Sequence, residues 1–115
     1  MNVIFADTAC LDRAKKEGKR ILLYGAGISG RIVYRILKTV GISADIFVDN
    51  SCSKIGTYII NDVLCVKPTE IEDKDNCIVY ICVAWEKTDA LYKQAYDDGF
   101  RIFCHIRGIL DEVLR

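Results

Sequence analysis

An α/β fold is predicted for this chain: a doubly wound sheet of parallel strands in the order 3-2-1-4-5, with a small hairpin after the second strand. Three observations give it. Short apolar runs alternate along the sequence with stretches of helical periodicity. Several of those runs are apolar at every position, as strands covered on both faces of a parallel sheet must be. The spacing leaves room for right-handed crossovers, which place the first strand in the middle.

The elements follow in chain order. Thr8 to Gly18 reads as a helix, with Asp7 or Thr8 able to cap its first amides and Gly18 able to end it in a left-handed turn. Ile21-Leu22-Leu23-Tyr24 is the first strand. From Ile28 the period changes: Ile28, Ile32, Val33, Ile36, Leu37 and Val40 mark one helical face, and Gly41 stops the helix. Arg31, Arg35 and Lys38 line another face and read as a solvated surface. Ala44 to Val48 is the second strand and ends in Asp49-Asn50. Tyr58-Ile59-Ile60 and Val63-Leu64-Cys65-Val66 flank Asn61-Asp62, a two-residue hairpin turn. Pro68 to Glu72 suits a short helix, since proline is tolerated in a first turn. Cys77 to Val83 is seven consecutive apolar residues, the candidate central strand. Glu86 to Asp98 is helical and ends at Gly99. Arg101 to His105 is a last strand, with a helical tail from Gly108.

The 115 residues fit a single domain, 1–115, which is either free-standing or a fragment or subunit of a larger enzyme. With 51% apolar and 28% charged residues, the composition argues against disorder. Sixteen basic residues balance sixteen acidic ones, so no global field exists to collect nucleic acid or anionic lipid. No apolar run approaches the ~20 residues needed to cross a bilayer, and no leader pattern opens the chain. A cytoplasmic protein without membrane insertion is expected. The six cysteines form no C-x-x-C pair, and His105, the one histidine, gives no partner at zinc-site spacing. Cys65, Cys77, Cys82 and Cys104 sit in apolar runs as small buried hydrophobes, whereas Cys52 lies among Ser and Lys as the reactive candidate. No metal site is expected.

Gly25-Ala26-Gly27-Ile28-Ser29-Gly30 spells G-x-G-x-x-G between an apolar strand and an amphipathic helix. Asp49 ends the next strand, about 20 residues on, at the interval such sites use. Each glycine has a physical task. Gly25 permits the tight turn, Gly27 lets a pyrophosphate approach the backbone, and Gly30 lets the helix pack close to its strand. The amides of Ile28, Ser29 and Gly30 then point at an anion. Asp49 accepts from ribose hydroxyls, which disfavours a 2′-phosphorylated cofactor. The alternative is that the glycines serve only the strand–helix junction and Asp49 caps a turn. At the crevice beside the first strand, Trp85 is placed to stack on a base or sugar, or else to pack over the sheet edge. Lys54 and Lys87 are candidate phosphate contacts.

No catalytic set assembles. There is no G-K-[ST] after the glycines and no G-x-S-x-G elbow. His105 lies away from the crevice. The Tyr34-x-x-x-Lys38 spacing falls on the first helix, where it cannot serve as a dehydrogenase pair.

The succession of Ile21 to Gly27, Phe47-Val48-Asp49-Asn50, Lys54-Ile55-Gly56 and Val66-Lys67-Pro68 resembles a family of small Rossmann-like domains in bacterial polysaccharide biosynthesis enzymes. Such domains precede nucleotide-sugar dehydratases and epimerases, form N-terminal parts of β-helix sugar acyltransferases, and are appended to some sugar-modifying methyltransferases and glycosyltransferases. The resemblance runs over residues 20 to 105 and implies binding of NAD or a UDP-sugar. By it, the nucleotide falls on Gly25, Gly27, Ile28, Ser29, Gly30 and Asp49, with Asn50 beside the aspartate. The expected function is that of a non-catalytic nucleotide-binding domain that works with a catalytic domain or a second copy. A minimal NAD-dependent oxidoreductase or epimerase-type subunit is one alternative, and a structural assembly module with a vestigial site is another.

Overall fold

The computed structural model describes residues 4–5, 16–39, 41–51, 53–82 and 88–104. Along the chain run β1 (Ile4–Phe5), β2 (Arg20–Tyr24), α1 (Ile28–Thr39), β3 (Ile46–Val48), β4 (Tyr58–Ile60), β5 (Val63–Val66), β6 (Cys77–Ile81), α2 (Thr88–Asp97) and β7 (Ile102–Cys104). The seven described strands lie in the order β1-β7-β6-β2-β3-β5-β4. Neighbours run parallel except β4, which pairs antiparallel with β5. The fold is therefore α/β with a mixed sheet rather than a wholly parallel one. The antiparallel member comes from the hairpin, whose turn residue Asn61 adopts a φ of 50°.

β2 occupies the centre. It pairs with β6 from Arg20↔Cys77 to Tyr24↔Ile81 on one side, and with β3 from Leu22↔Ile46 to Tyr24↔Val48 on the other. Its side chains alternate between two cores. Ile21 and Leu23 pack with Val33 and Leu37 of α1 and with Phe47, Cys65, Ile78 and Tyr80. Leu22 and Tyr24 pack with Ala95 of α2 and with Val48, Val79, Phe100 and Phe103. The two helices thus cover opposite faces, and this explains why β2 and β6 have no polar position between Ile21 and Tyr24 or between Cys77 and Ile81.

The structure moves the buried stripe of α1. Gly30, Val33, Tyr34 and Leu37 are the buried positions, whereas Ile32 is exposed and Ile28 is 80% exposed. The helix is rolled from the face expected because Gly30 lies against the backbone of Gly25 and the ring of Phe47, which no larger residue could do. Tyr34 joins the core through its ring, stacked on Phe47, while its hydroxyl accepts from Asn61 Nδ2 at the hairpin turn. Arg31, Arg35 and Lys38 are exposed, as their pattern predicts. Gly41, at a φ of 81°, ends the helix as its amide donates to Lys38 and that of Ile42 donates to Leu37.

Elsewhere the expected Pro68–Glu72 helix is a 3-10 turn over Pro68–Glu70. β1 had no counterpart in the sequence reading, since two residues at a sheet edge carry no periodic signal. The Thr8 to Gly18 helix lies mostly outside the described residues, as does the tail from Gly108.

Cys65, Cys77 and Cys82 are buried free thiols. Burial foremost, and then the nearby Asp49 carboxylate, pushes Cys65 up to about 11, while burial and then Asp73 push Cys77 up to about 11. Burial alone raises Cys82. Unfolded, these thiols titrate near 9.0, so the unfolded chain releases its protons first as pH rises. The stability they contribute is complete below pH 9 and lost as pH climbs through the folded value near 11. Urea midpoints should fall over this window in the native chain and fall less steeply in a Cys65→Ala/Cys77→Ala variant. Equal slopes would assign the alkaline loss to other groups.

Candidate functional site

Three strand ends meet where β2 passes into α1. Tyr24, Val48 and Ile81 close β2, β3 and β6 side by side, and two backbone bonds continue the ladders one residue further. Gly25 N donates to Val48 O at 2.8 Å, and Cys82 N donates to Tyr24 O at 2.8 Å. Gly25 holds a φ of 117°, and a Cβ built on it would stand 2.4 Å from Cys82 O. Gly30, one turn into α1, would place a Cβ 2.1 Å from Gly25 O. Those two glycines are required by the junction itself.

Gly27 differs. A Cβ there would meet only Lys54 Nζ, at 3.4 Å, an ordinary contact with the end of a flexible side chain. Packing does not explain a glycine at this position. The ladder of α1 begins with Arg31 N donating to Gly27 O at 3.2 Å, so the amides of Ile28, Ser29 and Gly30 precede it. No acidic side chain occupies the first turn. Gly27 is therefore the one member of the motif whose missing side chain leaves room beside helix-terminal donors.

Asp49 faces this turn. Its Oδ2 accepts from Ala26 N at 2.9 Å and its Oδ1 from Ser51 N at 2.8 Å. Lys54 Nζ stands 3.9 Å from Oδ2. The carboxylate so ties the glycine turn to the loop after β3, and the turn-capping role weighed against ribose binding is present in the fold. A carboxylate offers about four acceptor positions, so two backbone bonds leave it capacity for further donors.

Asn50 turns to the other side of the strand. Its Nδ2 donates to the Tyr24 hydroxyl at 3.2 Å, and that hydroxyl donates to Asp98 Oδ2 at 2.9 Å. Burial foremost, and then the Asp98 carboxylate, raises the Tyr24 hydroxyl far above the ordinary tyrosine range. It stays protonated throughout physiological pH.

The structure thus brings together Gly25, Gly27, Ile28, Ser29, Gly30 and Asp49, while the Asn50 side chain faces Tyr24 on the other side of the strand. Trp85 and Lys87 lie outside the described residues, as does His105. Of the two lysines considered, Lys54 reaches the turn. Sequence reasoning missed Tyr24 and Asp98, because a tyrosine closing an apolar strand reads as core and an aspartate closing a helix reads as solvated. Among the described residues no cluster of His, Cys, Asp and Glu could hold a metal ion. No helix of the described residues is long and apolar enough to cross a membrane.

A family model described as a C-methyltransferase C-terminal domain matches residues 6–102. No curated protein matches the chain. The family match overturns the resemblance to nucleotide-binding domains of polysaccharide enzymes, and with it the NAD or UDP-sugar ligand, and it gives no support to the oxidoreductase and assembly alternatives. The physical reason for the error is plain. A glycine turn followed by an acidic strand end specifies a strand–helix junction with helix-terminal donors, and that junction serves several ligand chemistries.

Proposed function

The chain belongs to the family of C-methyltransferase C-terminal domains, and from that premise we propose that it forms the C-terminal part of an enzyme that places a methyl group on carbon, with S-adenosylmethionine as donor. The match over residues 6–102 carries this reading. When bound, the donor supplies an electrophilic methyl group on a sulfonium.

The donor set at the glycine turn suits such a ligand. The amides of Ile28 and Ser29, with the Lys54 ammonium, suit its carboxylate. The acceptor positions left on Asp49 suit its ribose hydroxyls, and Gly27 leaves the space between them. Gly25 and Gly30 hold the turn in shape, and Asn50 stands on the α2 side of the same sheet edge. The central place of β2 and the helices on opposite faces support the doubly wound reading, in which ligands sit outside the carboxyl ends of the strands. These residues bind and orient. The transfer itself falls to a catalytic partner domain.

Calorimetry with S-adenosylhomocysteine on the 115-residue chain tests the reading. Saturable binding in the micromolar range is expected. Gly27→Val should weaken it at least tenfold while leaving the melting temperature within a few degrees, since the side chain added there meets ligand rather than protein. A chain that neither takes up heat nor gains melting temperature at millimolar ligand would overturn the assignment, because a ligand held only by the native state raises stability by mass action.

A further inference from the structure

Among the described residues three large apolar side chains are exposed, and two of them share one line of α1. Ile28 is 80% and Ile32 48% exposed, and they stand one helical turn apart. Their line lies roughly 180° around the helix axis from the middle of the buried stripe of Gly30, Val33, Tyr34 and Leu37. α1 therefore carries a second apolar line on the side away from its own sheet, where an outer helix ordinarily carries polar residues. Arg31 and Arg35 border that line and are exposed. α1 contains no acidic residue, and among the described residues no carboxylate pairs with either arginine. A cover for this face needs apolar side chains bordered by acids. A second copy of α1 does not meet that need, since a two-fold contact would lay Arg31 and Arg35 against their own counterparts.

Residues 105–115 lie outside the described residues and have the required chemistry. At helical spacing Ile109, Leu110, Val113 and Leu114 fall within an arc of about 140°. Asp111 and Glu112 fall on its two borders, and Arg115 falls on the far side. The segment also starts from the right place. It follows β7, which is separated from β2 by β6 alone, and Cys104 is level with Leu23 through Tyr80. Two strand spacings make roughly 10 Å. The chain from Cys104 to Ile109 spans up to about 17 Å when extended, and a helix over residues 109–114 adds about 9 Å. Together they reach across β6 to the first turn of α1. We propose that residues 109–114 dock as a helix on the outer face of α1, covering Ile28 and Ile32 and setting an acidic border against Arg31 and Arg35. The first turn of α1, directly after the glycine turn, is then held from outside as well as by the sheet.

NMR on the 115-residue chain tests the proposal. The amides of residues 110–114 should exchange at least about tenfold more slowly than in an unstructured peptide. The Ile28 and Ile32 methyl groups, assigned through Ile28→Val and Ile32→Val, should show cross-peaks to methyl groups of Leu110, Val113 or Leu114. Tail amides that exchange at unstructured rates overturn the proposal, and so does a protected tail that shows no such cross-peak. Charge reversal gives the second arm. Arg31→Glu/Arg35→Glu and Asp111→Arg/Glu112→Arg should each lower tail protection at least about threefold, and the two reversals combined should restore it. Amides of β2 and β6 should keep their protection in all three variants, because the α1 changes are at exposed positions, and this separates loss of docking from loss of fold. Reversals whose effects add, with no rescue, overturn the pairing of the two faces. Tail protection should not depend on protein concentration. Protection that grows with concentration, with dimer seen in sedimentation, gives the face to another copy's tail and overturns docking within one chain.

Discussion

Gly30→Ala should abolish cooperative folding or lower the melting temperature by more than about 10 °C, and Gly25→Ala should do nearly the same. Both substitutions add one methyl group, and at most loop positions that change is neutral. Here the methyl of residue 30 would stand 2.1 Å from the carbonyl oxygen of Gly25 and 3.2 Å from Phe47 Cε1. Neither neighbour can yield. The Gly25 peptide is fixed by its amide bond to Val48 O, and Phe47 is wholly buried between α1 and the sheet. Relief requires α1 to lift from β2, exposing Val33 and Leu37. Overpacking of this kind costs about 3 kcal/mol or more, and about 4 °C of melting temperature attends each kcal/mol in a domain of this size. At residue 25 the methyl meets Cys82 O at 2.4 Å, and the φ of 117° adds backbone strain that only glycine escapes. Gly27→Ala supplies the contrast. Its methyl meets only the end of Lys54, and its melting temperature should stay within about 2 °C of the parent. Thermal denaturation of the three variants checks the series. Equal losses at 27 and 30 would mean that the whole motif is a packing device and that Gly27 leaves no space for a ligand.

That series marks where the sequence was informative. β2 and β6 were legible because each is a run of apolar residues between glycine or polar breaks, the pattern that burial on both faces imposes. The hairpin was legible from Asn61-Asp62, since an asparagine tolerates the positive φ that the turn demands. The roll of α1 was not. Ile28 and Ile32 read as core by their hydrophobicity, and only the closeness of Gly30 to Gly25 turns them outward. A glycine contributes nothing to an apolar stripe, yet here it sets which stripe is buried. The site was half legible. Glycine spacing and the acidic strand end located the junction, because backbone geometry limits which residues can stand there. The ligand was not legible, because helix-terminal amides and a carboxylate suit several kinds of molecule. Nor was the tie from Asn50 to Asp98 through Tyr24, which joins residues far apart in the chain and has no spacing to reveal it.

Asp49→Ala is expected to destabilise the chain by about 2 to 4 kcal/mol, and the loss should come from two hydrogen bonds rather than from the ion pair. Lys54 Nζ lies 3.9 Å from the carboxylate and is more than one-third exposed, so solvent screens the attraction. Lys54→Ala should accordingly cost under about 1 kcal/mol. The amides of Ala26 and Ser51 are different, since each faces its own carboxylate oxygen at 2.9 and 2.8 Å in a part-buried setting. Bonds to an ionised acceptor are the stronger kind, and removing the acceptor strands both donors. Asp49→Asn separates charge from geometry. An amide has one accepting oxygen, so it can serve Ala26 or Ser51 but must turn its NH2 group toward the other. The asparagine variant should recover no more than about half of the loss seen with alanine. Urea denaturation of the three variants gives the ordering, and hydrogen exchange at the Ala26 and Ser51 amides shows which bond the asparagine keeps. If Asp49→Asn were as stable as the parent, a single bond would suffice to hold the turn. Asp49 would then hold the glycine turn through one oxygen only, leaving the other for a ligand, and the dual tie seen in the fold would carry little of its stability.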